Sequence, residues 1–178
     1  MESSLVFGRT ALALVGILTV ATVGLAAPGT AAACTPTAVE RALLDEVNRQ
    51  RTARGVRALR TSPHLTRVAR HHSHQMRRRQ QLRHQPIRTM RQRVRRSSHL
   101  GENVGSLQEA RDRPERAQAR QLTRIFLRSR SHRANLLDRR RYRFHGVGAY
   151  HDSSGTLWVT HLFAGPQAPR ARLRTGVC

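Results

Sequence analysis

Lysine is absent from this 178-residue chain: all 33 basic residues are arginine, and only ten Asp and Glu stand against them, for a formal net charge of +23. Aromatics are scarce as well, with one Trp, two Tyr and four Phe. None of them lies in residues 77–96, where nine of twenty residues are arginine. Without rings between those cations, base stacking is excluded there, so any nucleic-acid contact would be to phosphates and without sequence preference. Cysteine is nearly missing too. Cys34 and Cys178 are the two present, and if they are bridged no thiol is free for nucleophilic catalysis; no serine stands beside a plausible base either.

What is present begins with an apolar run. Arg9 supplies a short positive segment, residues 10–26 an apolar core, and "AAA" at 31–33 a small-residue cleavage site, the layout of a secretory signal peptide over residues 1–33. A membrane anchor is the competing reading, weakened by the Gly and Thr in the run and by the A-x-A ending. Cleavage would leave residues 34–178 as one extracellular domain with no transmembrane segment, expected to be a monomer, with a core over about 40–165 and a C-terminal tail over 166–178. In an oxidising compartment a Cys34–Cys178 disulfide would close nearly the whole domain, worth about 4–5 kcal/mol in the loop-entropy account. A lipidated Cys34 is the alternative, with Ala31 standing where lipoprotein signals usually carry Leu.

So basic a surface stays soluble and attracts polyanions such as nucleic acid, anionic lipid or acidic wall polymer. A solvated arginine-rich surface with no dedicated partner explains the same composition.

Periodicity predicts helices first. Thr37 and Glu40 have capping-box spacing ahead of a stripe of Val39, Leu43 and Val47, and Gly55 closes the segment. Ser62 and Pro63 open a second helix whose apolar face carries Leu65, Val68, Ala69, His72 and Met76, which makes His72 a core histidine. Residues 77–96 read as a long basic loop with one helical turn at most, anchored by Leu82, Ile87, Met90 or Val94. A third helical region begins near Pro114, with Ala119, Leu122, Ile125, Phe126 and Ser129 on one face and Ser131 capping a short turn that carries Leu136 and Leu137. "YRFHGVGAYH" and "TLWVTHLF", joined by "DSSG", read as an antiparallel hairpin. The expected class is α+β, helices packed on a small antiparallel sheet.

Three polar residues sit at the ends of these segments: His84, Glu102 and His132. Two imidazoles and a carboxylate suit a divalent metal such as zinc, although ten histidines make such a triplet easy to find. A buried Glu102 needs donors or a cation, so it serves either as a structural pin in a loop or as a ligand, or orients a metal-binding histidine from behind. Asn103 is expected to fix the loop geometry.

The ordered stretches "LLDEVNRQRTARGVRAL", "SPHLTRVARHHSHQM", "LRH", "GENVG", "FLRSRSHRANLL", "HGVGAY" and "WVTHLF" resemble the CAP superfamily, which joins cysteine-rich secretory, antigen 5 and pathogenesis-related proteins and includes bacterial SCP-like domains. The resemblance spans about residues 40–165. It implies an α-β-α sandwich with a surface cleft in which His84, His132 and Glu102 converge. Two positions depart from the family pattern. Ser129 stands where many members have an acid three residues after a Trp, itself Phe126 here, and His161 stands where Gln is frequent. The favoured reading is a secreted, non-enzymatic module whose cleft takes a ligand or a divalent metal; lipid, wall polymer and protein partners all suit the family. The alternative is a zinc-dependent hydrolase, with Glu102 accepting a proton from bound water. Counting Glu102 or His161 as third ligand leaves that enzyme no obvious base.

Overall fold

The capping box at the first helix forms as its spacing requires: Glu40 N donates to Thr37 Oγ1 at 3.4 Å, and Thr37 N donates to Glu40 Oε2 at 2.7 Å. The computed structural model describes residues 35–166, so the expected signal segment, both cysteines with their expected bridge, and the tail beyond Pro166 lie outside the described residues. The elements, in chain order, are α1 (Ala38–Thr52), β1 (Arg60–Thr61), α2 (Pro63–Arg79), α3 (Ile87–Arg93), β2 (Leu100–Leu107), α4 (Glu115–Arg128), α5 (Arg130–Leu136), β3 (Phe144–His151) and β4 (Leu157–Ala164).

Glu40 does more than cap. Its buried carboxylate accepts from Arg70 Nε at 2.8 Å, Arg70 Nη2 at 2.6 Å and Ala149 N at 3.2 Å, which fastens α1 to α2 and β3. At the start of α2, Leu65 N donates to Ser62 Oγ at 3.4 Å and Pro63 takes the first helical position. His72 is buried, its Nε2 2.8 Å from Arg83 O, a core histidine as its stripe position predicts.

The sheet runs β1-β3-β4-β2. It is mixed: β4 pairs antiparallel with β2 and β3, and the two-residue β1 joins β3 in parallel. One face packs on α1, α4 and α5 through Leu43, Val47, Leu122, Phe126, Val159 and Phe163. The other packs on α2 and α3 through Leu65, Ala69, Met90, Val94, Leu162 and Ala164. The α-β-α layering follows, each fully buried Leu or Phe adding about 1.5–3 kcal/mol.

Gly146 and Gly148 determine how closely α2 seats. A Cβ at either position would fall under 3.0 Å from the backbone of Thr66 or Arg70. The β3–β4 hairpin closes on Asp152, which accepts from Ser154 Oγ at 2.6 Å, Trp158 Nε1 at 2.9 Å and Thr156 N at 3.0 Å. Those donors hold its carboxyl well below the usual range.

Four expectations need correction. The 77–96 segment is loop only in part: α2 continues to Arg79, and α3 buries Met90 with Val94 just past its end, whereas Leu82 and Ile87, expected anchors, are exposed. "GENVG" belongs to a strand, β2, not to a loop between helices. Ile125 faces solvent although its helix partners Leu122 and Phe126 are buried. Ser129, not Ser131, occupies the N-cap position of α5, without a side-chain capping bond.

Candidate functional site

Because β2 is the outer strand of the sheet on its side, side chains from both layers can meet over its free edge. Alternation along β2 points Glu102 to the α2–α3 face, with Leu100 and Val104, and Asn103 to the α4–α5 face. Each of the two polar residues then secures one histidine.

On the first face Glu102 is buried, with 4% of its side chain exposed, under His84, whose side chain is 58% exposed. Glu102 Oε1 lies 2.9 Å from His84 Nδ1 and accepts from Gln85 N at 2.9 Å. Glu102 Oε2 accepts from Gln85 Nε2 at 2.7 Å, and Gln85 Oε1 accepts from Arg93 Nη1 at 3.1 Å. A carboxylate accepting at this distance places a proton on His84 Nδ1, so the neutral tautomer this contact selects is the one with Nε2 free.

On the second face Asn103 Nδ2 donates to His132 O at 3.0 Å. Asn135 Nδ2 donates to Asn103 Oδ1 at 2.9 Å and to Glu102 O at 3.2 Å, and Tyr142 donates to Asn135 Oδ1 at 3.1 Å. This network ties α5 to the strand edge. The His132 ring rests on Phe126, centroids 5.1 Å apart and edge-on, and burial lowers its pKa, with His84 adding to the effect. The two histidine rings meet at 6.1 Å between centroids, tilted by 50°.

Three of the residues expected in the cleft, His84, Glu102 and His132, are thus brought together, with Asn103 supporting them from within the sheet. Ser129 is half-buried at the α4–α5 joint; its hydroxyl lies 3.2 Å from Ser131 Oγ and makes no bond to either histidine. His161 is not a cleft residue. It is 1% exposed in the α1–α4–α5 core, 3.2 Å from His145 Nδ1 and stacked on Phe163 at 4.2 Å between centroids. Period-2 alternation of β4 puts it on the same inward face as Val159 and Phe163.

Gln85, Asn135, Tyr142 and His145 are the residues that sequence reasoning missed. Gln85 and Asn135 stand within or beside the quoted "LRH" and "SHRANLL" stretches, yet nothing in their spacing marks them. His145 could have been found from its alternation with Val147 and Ala149.

As a metal centre the donor set fits in part. His84 Nε2 and a neutral His132 suit one cation, whereas both Glu102 oxygens already accept hydrogen bonds from the protein. Among the described residues no three His, Cys, Asp or Glu side chains gather as a metal cage. Among those residues, too, no helix is long and apolar enough to cross a membrane.

Comparison with known proteins agrees with this architecture. No curated protein matches the sequence. Among solved structures, an outer surface protein from Borrelia burgdorferi superposes with a TM-score of 0.61 at 15% identity, covering 71% of this chain and 92% of that one. An extracellular SCP-domain protein from Bacillus anthracis gives a TM-score of 0.56 at 23% identity, covering 72% of this chain and 40% of that one. A cysteine-rich secretory protein from Staphylococcus aureus gives 0.53 at 18% identity, covering 72% and 38%. This chain therefore spans about two fifths of the last two. Those likenesses fix the fold. The family profile described as "CAP: Cysteine-rich secretory protein family" matches residues 44–163, and with well over half of the sequence under that profile, the chain belongs to the CAP family.

Proposed function

We propose that the protein is an exported, non-enzymatic CAP module whose His84–His132 edge binds a ligand, with a divalent cation such as zinc shared between the two imidazoles. The observation that carries this reading is the Glu102–His84 bond, with Gln85 donating once more to each oxygen of the carboxylate. It sets the tautomer that frees His84 Nε2, in the manner of a carboxylate holding a metal-binding histidine from behind. Zinc takes four ligands, so two histidines leave two positions for water or for donors of the ligand itself. A cation there would act as a Lewis acid on whatever oxygen it received.

The same bonds argue against hydrolysis. Glu102 is buried with both oxygens committed, and Ser129 replaces the second acid, so among the described residues no carboxylate beside His84 and His132 is free to take a proton from water. Export rests on the signal-like segment at residues 1–33, and an exported product beginning at Cys34 would support it. Zinc titration of the purified domain tests the edge itself. Wild type is expected to bind zinc, with affinity falling at least about tenfold in His84→Ala and in His132→Ala. Equal affinity in all three proteins would overturn the assignment.

A further inference from the structure

Arg54, Arg124, Arg128 and Arg133 line one pocket of about 300 Å³ where the C-terminal end of α1 meets α4 and α5, with Leu127 as its apolar wall. Among the described residues no carboxylate lines it. Arg54 donates to the neutral oxygens of Gln50, and the side chains of Arg124, Arg128 and Arg133 have no acidic partner among those residues. Another concavity of the protein is compensated: in a groove between α1 and α4, Asp45, Glu46 and Glu115 face four arginines. Helix dipoles favour cations in the last turn and so account for Arg128 of α4 and Arg133 of α5. They favour Arg54 too, just past the C-cap of α1, where it donates to Gln50 O; Arg124, a turn before the end of α4, is the one they do not account for.

Four exposed guanidinium groups around one small concavity raise the positive potential there, and an anion lying among them would relieve it. A carboxylate, with one charge and two oxygens, is satisfied by one arginine fork. Free phosphate or a monoester offers more acceptor oxygens in a tetrahedral array and more charge, and is matched by several forks at once; along a phosphodiester polymer, neighbouring phosphates supply the added charge. We infer that this pocket is a phosphate-binding site, taking either free phosphate or one phosphate of a phosphodiester polymer. The site is separate from the histidine edge and does not depend on metal binding there.

The test is calorimetric titration with inorganic phosphate and with a short glycerol phosphodiester oligomer, in about 150 mM salt so that diffuse attraction is screened. Arg124→Gln with Arg128→Gln, and separately Arg54→Gln with Arg133→Gln, change only exposed side chains, and thermal melts check that both pairs fold. Arg78→Gln with Arg79→Gln, exposed at the end of α2, removes the same charge elsewhere. Each pocket pair is expected to weaken binding at least about tenfold and the control pair less than about threefold. Tighter binding of the oligomer than of inorganic phosphate identifies a polymer, and equal binding identifies free phosphate; both support the site. Equal losses in pocket and control pairs, or no wild-type binding to either probe at about 10 mM, would overturn it.

Discussion

Acidification should unfold this protein through its interior, at His145 and His161. The two rings are 0% and 1% exposed, 3.2 Å apart between Nδ1 and Nε2, and the buried Arg51 guanidinium of α1 adds to their field. Among the described residues His145 Nε2 has no hydrogen-bond partner. Burial, with Arg51 as the smaller cause, pushes the His145 pKa down to about 3. Burial also places His161 well below its ordinary value, with His145 and Arg51 contributing. In the unfolded chain both imidazoles titrate near the ordinary value of about 6.5.

Below that pH the unfolded state binds protons that the folded state refuses, so stability is constant above about pH 6.5 and falls as pH drops toward 3. Complete displacement of His145 from about 6.5 to about 3 corresponds to about 5 kcal/mol, and about 2 kcal/mol of it is lost already at pH 5. Against a total of about 5–15 kcal/mol, that brings the fold close to failure. His64, His71, His132 and His151 are also lowered but only partly buried, so they steepen the same slope by less. Asp138 and Asp152, held below their usual range, act only under about pH 4. Urea melts at pH 7.5, 6 and 5 measure the effect. The double variant His145→Leu, His161→Phe should show a much flatter profile than wild type. A wild-type stability that stays level between pH 7.5 and 5, or a double variant that loses as much as wild type, would refute the reasoning.

Other outcomes follow from single contacts. Glu40→Gln should cost about 3 kcal/mol or more in urea unfolding, because Arg70 keeps its charge without a buried partner. Gly148→Ala should prevent α2 from seating and lower Tm by many degrees, whereas Arg79→Ala, on the solvent-facing side, should change Tm little. Gln85→Leu should leave the fold intact but take one donor from Glu102 Oε2, loosening the carboxylate behind His84 and weakening zinc binding about tenfold in titration.

The parts of this structure legible in the sequence are those fixed by local chemistry. Thr37 and Glu40 announce α1, Ser62 and Pro63 announce α2, and "DSSG" announces the hairpin turn, because caps and turns depend on a few neighbouring residues. β2 was hidden. "LGENVGSL" is poor in strand-forming residues and becomes a strand because eight of its positions pair with β4. In α3 the density of arginine masks a seven-residue helix that needs only Met90 and Val94 to pack.

The site divides in the same way. His84, Glu102 and His132 stood out by segment order, yet the two layers that bring them together exist only once β2 forms the sheet edge. His161 leaves the cleft because the alternation of β4 turns that family position into the core. Gln85 is invisible for the opposite reason: it acts through a tertiary bond to Glu102 that no spacing encodes.

The central claim is that Glu102 fixes the His84 tautomer and so presents Nε2, beside His132, to a ligand at the sheet edge. Long-range proton–nitrogen NMR of the histidine rings near pH 7.5, with and without zinc, tests it most directly. The account predicts His84 protonated on Nδ1 and bare on Nε2, with zinc moving Nε2 of His84 together with a ring nitrogen of His132. A proton on His84 Nε2, or rings that do not respond to about 1 mM zinc, would contradict it.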